Sequence, residues 1–342
     1  MNRIFLTLAA VILVNLSWFS DVSAESEGKK WVIALSNSYY GNTWRRQMVE
    51  AFKEAAEQAK KEGRIADYII ENGDGSVNQQ VSQMNGLILR GVDAIAINSA
   101  SPTALNGVIE KACKAGIKVI AFDSIATAPC CYKLDFDFKT AHKDSTKFIV
   151  GELLGGKGNI LVVRGVKGSA PDQMMYEGAM ESLKRFPDAK VVGEVYGQAT
   201  TAVAQAEVSK LLPSLPQIDA VLTQGGGDDH GVVQAFEQAG RKPPIIEGGG
   251  SSNFLKWWSE QFKKDGYKTV SDNSAPGIGG AAFWLTLAIL NGAEADPSKT
   301  MFMPYATITA DNLADYADLP PGFIVSPKYT EDWVKENILK SK

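Results

Sequence analysis

The chain has 342 residues, 45% hydrophobic and 22% charged, with 35 Lys and Arg against 39 Asp and Glu for a formal net charge of -4. That balance excludes a nucleic-acid-binding protein or one built for an anionic membrane, since both need a basic stripe. The length is more than a single hydrophobic core usually serves, so two domains are expected.

In chain order, the first 24 residues read as a secretory signal. Met1-Asn2-Arg3 is a short basic start, residues 4–14 are apolar except for Thr7, and Val22-Ser23-Ala24 is a small-x-small end. A membrane span needs about 20 apolar residues, and this run is broken by Asn15, Ser17, Ser20 and Asp21. The expectation is therefore a soluble exported protein that starts at Glu25 and resides in the periplasm.

A short β-rich run, a loop and an amphipathic helix then recur. Strands are expected at 31–35, 66–70, 94–97, 118–122, 159–163, 190–195, 220–222 and 244–246, with helices between them. Strands separated by helix-length segments imply a parallel sheet with helices on both faces. The stretches "VDAIAINSASPTALNGVIEKACKAGIKVIAFDS" (92–124) and "IDAVLTQGGGDDHGVVQAFEQAGRKPPIIEGGG" (218–250) share one order of strand, polar loop, helix, Ala-Gly stop and strand. One half reads as a divergent copy of the other. The expected fold is thus α/β, two similar doubly wound parallel-sheet lobes, and without a long linker the crossings between them must be short and multiple, as in a hinge.

The divisions expected are a signal at 1–24, an N-terminal lobe of 30–136 plus 274–304, a C-terminal lobe of 137–273 plus 305–325, and a tail at 326–342. A third crossing falls near Pro304 and Tyr305. The tail is read as an amphipathic helix from Thr330 with Trp333 and Ile338 buried. Ligands of open parallel sheets bind beyond the carboxyl ends of the strands. The loops there are polar or glycine-rich ("SNSYYGNTWRR", "NSAS", "DSIA", "TQGGGDDH", "EGGGSSN"), so two facing lobes would enclose a polar cleft.

Three cysteines sit in this exported chain, Cys113 and the adjacent Cys130 and Cys131. An oxidising compartment permits one disulfide, from Cys113 to one of the pair with Cys130 the candidate; which of the two pairs stays open. No histidine accompanies them at metal-ligand spacing, and no metal or cofactor is expected. His142 and His230 are the only histidines, neither placed with a partner for catalysis, and the "GGKGN" at Gly155 precedes a strand instead of following one, so it is no phosphate loop. Asp228, Asp229 and His230 open a helix, where acidic residues cap N–H groups.

With these elements in order, the chain resembles the type I periplasmic binding proteins of sugar ABC transporters, the ribose-binding group. "WVIALSNSYYGNTWRRQMVEAFKEAAEQAKKEG", "GVDAIAINSASPTAL", "GIKVIAFDS" and "VLTQGGGDDHGVVQAFEQAG" carry the likeness, over about 30–292. The resemblance implies ligand-facing roles for Asn42, Trp44 and Arg45, where the family has asparagine and two aromatics, and for Asp123, followed by Ser124 in place of an arginine. It also implies roles for Asp137 near the first crossing and Asn273 at the second. In the second half the family's polar positions fall on Met175, Gly225 and Gly249, and its aromatic clamp on Ala199, so no particular sugar specificity carries over. Glycines there would widen the cleft or let backbone N–H groups and water replace side chains.

Sugars present C–H faces and many hydroxyls, which aromatic planes and charged or amide groups respectively satisfy. Trp44 beside Arg45 offers both, and Asp123 a charged acceptor. The resemblance implies a monomeric, non-catalytic receptor that closes on a small sugar or polyol and delivers it to an inner-membrane ABC permease. The alternatives are a sensor that presents a sugar-like signal to a membrane receptor, which would use the same cleft, or an enzyme. A repressor of related fold would carry a helix-turn-helix where the signal stands.

Overall fold

The computed structural model describes residues 30–316 and 318–340. The signal and its cleavage point lie outside the described residues. The first half runs β1 (Trp31–Asn37), α1 (Thr43–Lys61), β2 (Ile65–Asn72), α2 (Val77–Leu89), β3 (Ala94–Asn98), α3 (Asn106–Lys114), β4 (Lys118–Phe122) and β5 (Tyr132–Asp135). Next come α4 (Phe138–Thr146), continued as a π-helical stretch Lys147–Leu153, then β6 (Lys157–Arg164), α5 (Ala170–Leu183), β7 (Asp188–Tyr196), α6 (Thr201–Leu211), β8 (Ala220–Thr223), α7 (Asp228–Gln238), β9 (Ile245–Ile246) and α8 (Ser252–Asp265). The remainder is β10 (Ser271–Asn273), α9 (Ile278–Leu290), β11 (Thr300–Phe302), β12 (Ala306–Ile308) and α10 (Glu331–Val334), which runs into a second π-helical stretch, Lys335–Leu339.

Two parallel sheets result. The first has the order β11-β5-β4-β3-β1-β2, the second β7-β6-β8-β9, and β10 pairs antiparallel with β12 between them. Parallel strands covered on both faces read as continuous apolar runs. In β1, Ile33 and Leu35 pack toward α1 and α9 while Ala34 packs toward α2 and α3. The second sheet is covered likewise, by α6, α7 and α8 on one face and by α5 and the π-helical stretch on the other. The paired segments 92–124 and 218–250 become β3-α3-β4 and β8-α7-β9, one βαβ unit in each lobe.

Helix α9 is apolar all round because it is buried all round, between the first sheet and α1. Glycine makes this approach feasible: a Cβ on Gly279 would stand 2.0 Å from the backbone oxygen of Met48. Among the described residues no helix is long and apolar enough to cross a membrane.

The chain passes between the sheets after β5, after β10 and again between β11 and β12, the last of these at Pro304 and Tyr305. A further pass follows. Val325 packs in the second lobe and its neighbour Ile324 in the first, and the helix beyond adds Val334 and Ile338 to the first lobe's core. Thr330 caps that helix by accepting from the Trp333 backbone N–H at 3.2 Å. Here one expectation is corrected: Trp333 is only half-buried, its ring tilted against that of Tyr329, because Val334 takes the inward position one residue on.

Cys113 on α3 is bonded to Cys130, closing a 17-residue separation, and Cys131 is buried as a free thiol. This staples the first lobe; the second has no cysteine.

Candidate functional site

The carboxyl ends of both sheets face each other across a cavity of about 570 Å³, counting the part open to solvent. From the first lobe it is lined by Asn42, Trp44, Arg45 and Asp123. Asn42 and Arg45 owe their places to the start of α1, where the Asn42 side chain accepts from the Arg45 backbone N–H at 2.8 Å, an N-cap. Trp44 is 7% exposed, its indole N–H donating to the Ser274 carbonyl at 2.5 Å, which ties α1 to the second crossing.

Asp123 follows β4 with φ of 55°, a left-handed conformation uncommon outside glycine. That turn holds the carboxylate over the sheet end, where Asn98 donates to its Oδ2 at 3.0 Å and Arg45 Nη2 lies 3.7 Å away. Burial pushes the Asp123 carboxyl up and the Arg45 guanidinium down, and their mutual attraction opposes both shifts. Arg45 Nη1 and Asn98 Oδ1 are buried without a hydrogen-bond partner among the described residues. A buried donor left unmade is costly, so Arg45 Nη1, on a side chain that lines the cavity, suits a ligand with hydroxyl or ether oxygens.

The second lobe contributes a different wall. Met175, Ala199 and Gly225 line the cavity, and Gly225, Gly226 and Gly227 have φ of 101°, 67° and 111°, a backbone only glycine adopts freely. Gly249 packs on Gly225 instead of lining the cavity; a Cβ on it would come within 2.1 Å of the Gly225 Cα. The polar side chains here come from residues the sequence reading passed over. Asp172 lines the wall, its two oxygens held by Arg164 at 3.0 and 2.8 Å, and Arg164 lies between the rings of Tyr176 and Tyr196 at 4.2 and 4.9 Å. Burial pushes the Asp172 carboxyl up against the pull of Arg164. Gln224 bridges the Gly165 N–H and the Asp172 carbonyl at 2.7 and 3.2 Å.

The crossings close the third side with Phe138, His142, Tyr305 and Asn273. Phe138 and Tyr305 meet edge to face, with centroids 6.1 Å apart. Asn273 lines the cavity while its Nδ2 donates to the Val325 carbonyl.

Besides Gly249, two more expected ligand residues are not brought to the cavity. Ser124 is buried behind Asp123, donating to the Ser99 carbonyl at 2.6 Å, because the left-handed turn at Asp123 sends its neighbour back into the lobe. Asp137 is exposed on the far side as the N-cap of α4, accepting from Thr140 N–H at 3.1 Å. Asp228 and Asp229 are fully buried caps and ties: Asp228 accepts from Thr200 N–H, and Asp229 from Gly249 N–H and the Ser251 hydroxyl.

Two α/β lobes with their strand ends turned to a common polar cavity, joined by several short crossings, define a solute-binding architecture of the periplasmic type. The chain belongs to the family of periplasmic binding protein domains, whose model matches residues 33–294. It is 38% identical to an ABC transporter solute-binding protein from Thermobispora bispora whose structure superposes with a TM-score of 0.82 over 90% of this chain and 95% of that one. Among curated proteins it is 27% identical to the xylitol-binding protein of Mycolicibacterium smegmatis over 57% of this chain, a match spanning only 56% of that relative. It is 25% identical to the ABC transporter periplasmic-binding protein YphF of Escherichia coli over 74% of this chain and 79% of that protein.

Proposed function

We propose that this protein is an exported receptor for a small sugar or polyol, which it captures by closing its two lobes and hands to the permease of an ABC transporter without changing it chemically. The observation that carries the reading is the buried Arg45–Asp123–Asn98 group, with an unpartnered Arg45 donor and the Asp123 carboxylate at the cavity beside the indole of Trp44. Hydroxyls satisfy donors and acceptors alike, and the indole covers a C–H face. Relatives named for xylitol, D-xylose and D-ribose/D-allose support the same ligand class. The lobes in this reading are 30–136 with 274–304 and 137–273 with 305–325; the first 24 residues direct export to the periplasm, and the mature chain acts as a monomer. Closure is a population shift driven by contacts to both lobes.

A thermal-shift screen of the mature chain against pentoses, hexoses, polyols and their acids tests this. A true ligand at 100 times its Kd adds about 2.7 kcal/mol of stability, a clear rise in melting temperature. Recovery of the hit unchanged after prolonged incubation is expected. Silence from all neutral sugars and polyols, or conversion of the hit, overturns the reading.

A further inference from the structure

Tyr305 makes the third crossing together with Pro304, and the chain is held on either side of it. The Met303 N–H donates to the Asp135 carbonyl at 2.8 Å, and Ala306 pairs with Asn273 between β12 and β10. The ring is fixed as well. Phe136 of the first crossing and Phe138 at the start of α4 meet it edge to face, with centroids 5.4 and 6.1 Å away. Backbone and ring packing therefore set where the phenol stands before any ligand arrives.

The Tyr305 side chain lines the cleft, and its hydroxyl oxygen is buried with no hydrogen-bond partner among the described residues. A buried tyrosine hydroxyl ordinarily finds a partner, and one left without it is costly. Asp272, Asp135, Asp123 and Asp137 stand around it, yet none of them accepts from it. Burial above all, and then these acids, push its ionisation up, so it stays a neutral phenol with one proton to give. Tyr305 also borders a recess on the outer side of the crossings, with Asp137, Asp144 and Asp272, but that recess is open to solvent and a hydroxyl turned to it would not be buried. Arg45 Nη1, on another side chain of the cleft lining, is buried and unpartnered in the same way. The cleft thus holds one unmade donor on its first wall and one at its crossings.

We propose that Tyr305 is a ligand-binding residue whose hydroxyl donates to an oxygen of the solute, so that the third crossing reads the ligand as well as joining the lobes. This rests on the reading of the cleft as a carbohydrate site. The ligand it fits carries two acceptor oxygens, one for Arg45 and one for Tyr305, set apart by the span from the start of α1 to the crossing. Because the crossing belongs to neither wall, this contact selects for the placing of one hydroxyl independently of the side chains on the first wall and the glycines on the second.

Tyr305→Phe keeps the ring and its contacts with Phe136 and Phe138 and removes one oxygen. With no protein partner to lose, the ligand-free variant should melt where the unmodified chain melts. Calorimetry with D-ribose, D-xylose, xylitol, myo-inositol and D-allose then reads the contact. For whichever binds, Tyr305→Phe should weaken affinity roughly 3- to 10-fold, the worth of one neutral hydrogen bond. Monodeoxy analogues of that ligand complete a double-mutant cycle: for the analogue that lacks the hydroxyl read by Tyr305, the unmodified chain and the variant should bind alike. Unaltered affinity in Tyr305→Phe, or losses that simply add for every analogue, overturns the proposal. A lower melting temperature of the ligand-free variant would reveal a protein partner for the hydroxyl and overturns it too. Binding that Tyr305→Phe leaves untouched defeats this inference alone, whereas silence of all five probes on the unmodified protein defeats the carbohydrate reading and this inference with it.

Discussion

The two walls of the cleft solve the same problem by different means. The first-lobe wall is built from side chains: a guanidinium, a carboxylate and an indole, fixed by a cap or by buried polar contacts and held over a sheet whose β4–β5 loop is stapled to α3 by Cys113–Cys130. The second-lobe wall is built largely from backbone, three left-handed glycines in a row with Gly249 pressed against Gly225, and its Asp172 carboxylate is held from behind by Arg164. A side-chain wall places strong, directional partners at the ligand. A backbone wall sets shape and distance, so the two are sensitive to different perturbations.

The largest effect that separates them is one of pH. Asp135 ends β5 beneath the first wall, 2% exposed, and burial pushes its carboxyl up to about 8. The unfolded chain releases that proton near the usual carboxylate value of about 3.9. Between the two values the native state binds more protons than the unfolded state, so stability falls as pH rises from about 4 to about 8. At about 1.4 kcal/mol per pH unit the loss amounts to a few kcal/mol. Asp135→Asn keeps an acceptor for the Phe136 N–H and should flatten denaturant-derived stability across that window. A variant that loses as much stability as the unmodified protein would show that Asp135 is charged when folded.

Next in size is the staple. A loop closed across a separation of 17 residues is worth about 3 kcal/mol in the chain-entropy account. Reduction, or Cys113→Ser with Cys130→Ser, should therefore lower the melting temperature of the first lobe and leave second-lobe protection in hydrogen exchange unchanged. Equal loss of protection in both lobes would mean that they unfold as one unit.

How much of this was legible in the sequence differs between the two walls as well. Strands of four or more residues with apolar runs, such as 94–98 and 118–122, announce themselves, and the repeat at 92–124 and 218–250 announces the doubling of the lobe. The three-residue strands β10, β11 and β12 have no period to read, and they are held by pairing across long sequence distances. The first wall was readable because Asn42, Trp44 and Arg45 are neighbours in sequence at the start of α1. The second was not, because Asp172, Gln224 and His142 meet only through folding, and the residues that the family resemblance marked there are small or apolar. One signal was available: Phe138, His142, Ser145 and Thr146 fall at helical spacing on one face of α4, which places a histidine on a face otherwise led by phenylalanine.

Binding measurements sharpen the contrast further. Asp123→Ala leaves the Arg45 guanidinium and the Asn98 amide without their acceptor and removes a charged partner for ligand hydroxyls, which should cost roughly 1.5–3 kcal/mol of affinity. Calorimetry with the hit from the sugar screen reads this directly, with circular dichroism as the check on folding. Affinity equal to that of the unmodified protein would place the ligand away from the first wall.

Gly225→Ala probes the backbone wall at a point where space is not the obstacle. A Cβ there meets nothing nearer than Gly249, at 3.9 Å, so no side chain is displaced. The obstacle is the φ of 101°, which an L-residue adopts only at a cost of about 1–2 kcal/mol. Relief requires the loop between β8 and α7 to rotate, and that moves the wall relative to Asp172, whose carbonyl is tied through Gln224 to Gly165. The cost should therefore appear both as a modest loss of stability and as a modest loss of affinity. A stability loss with affinity untouched would show that the glycine run serves the turn into α7 alone, and that the ligand meets the second lobe only through its side chains.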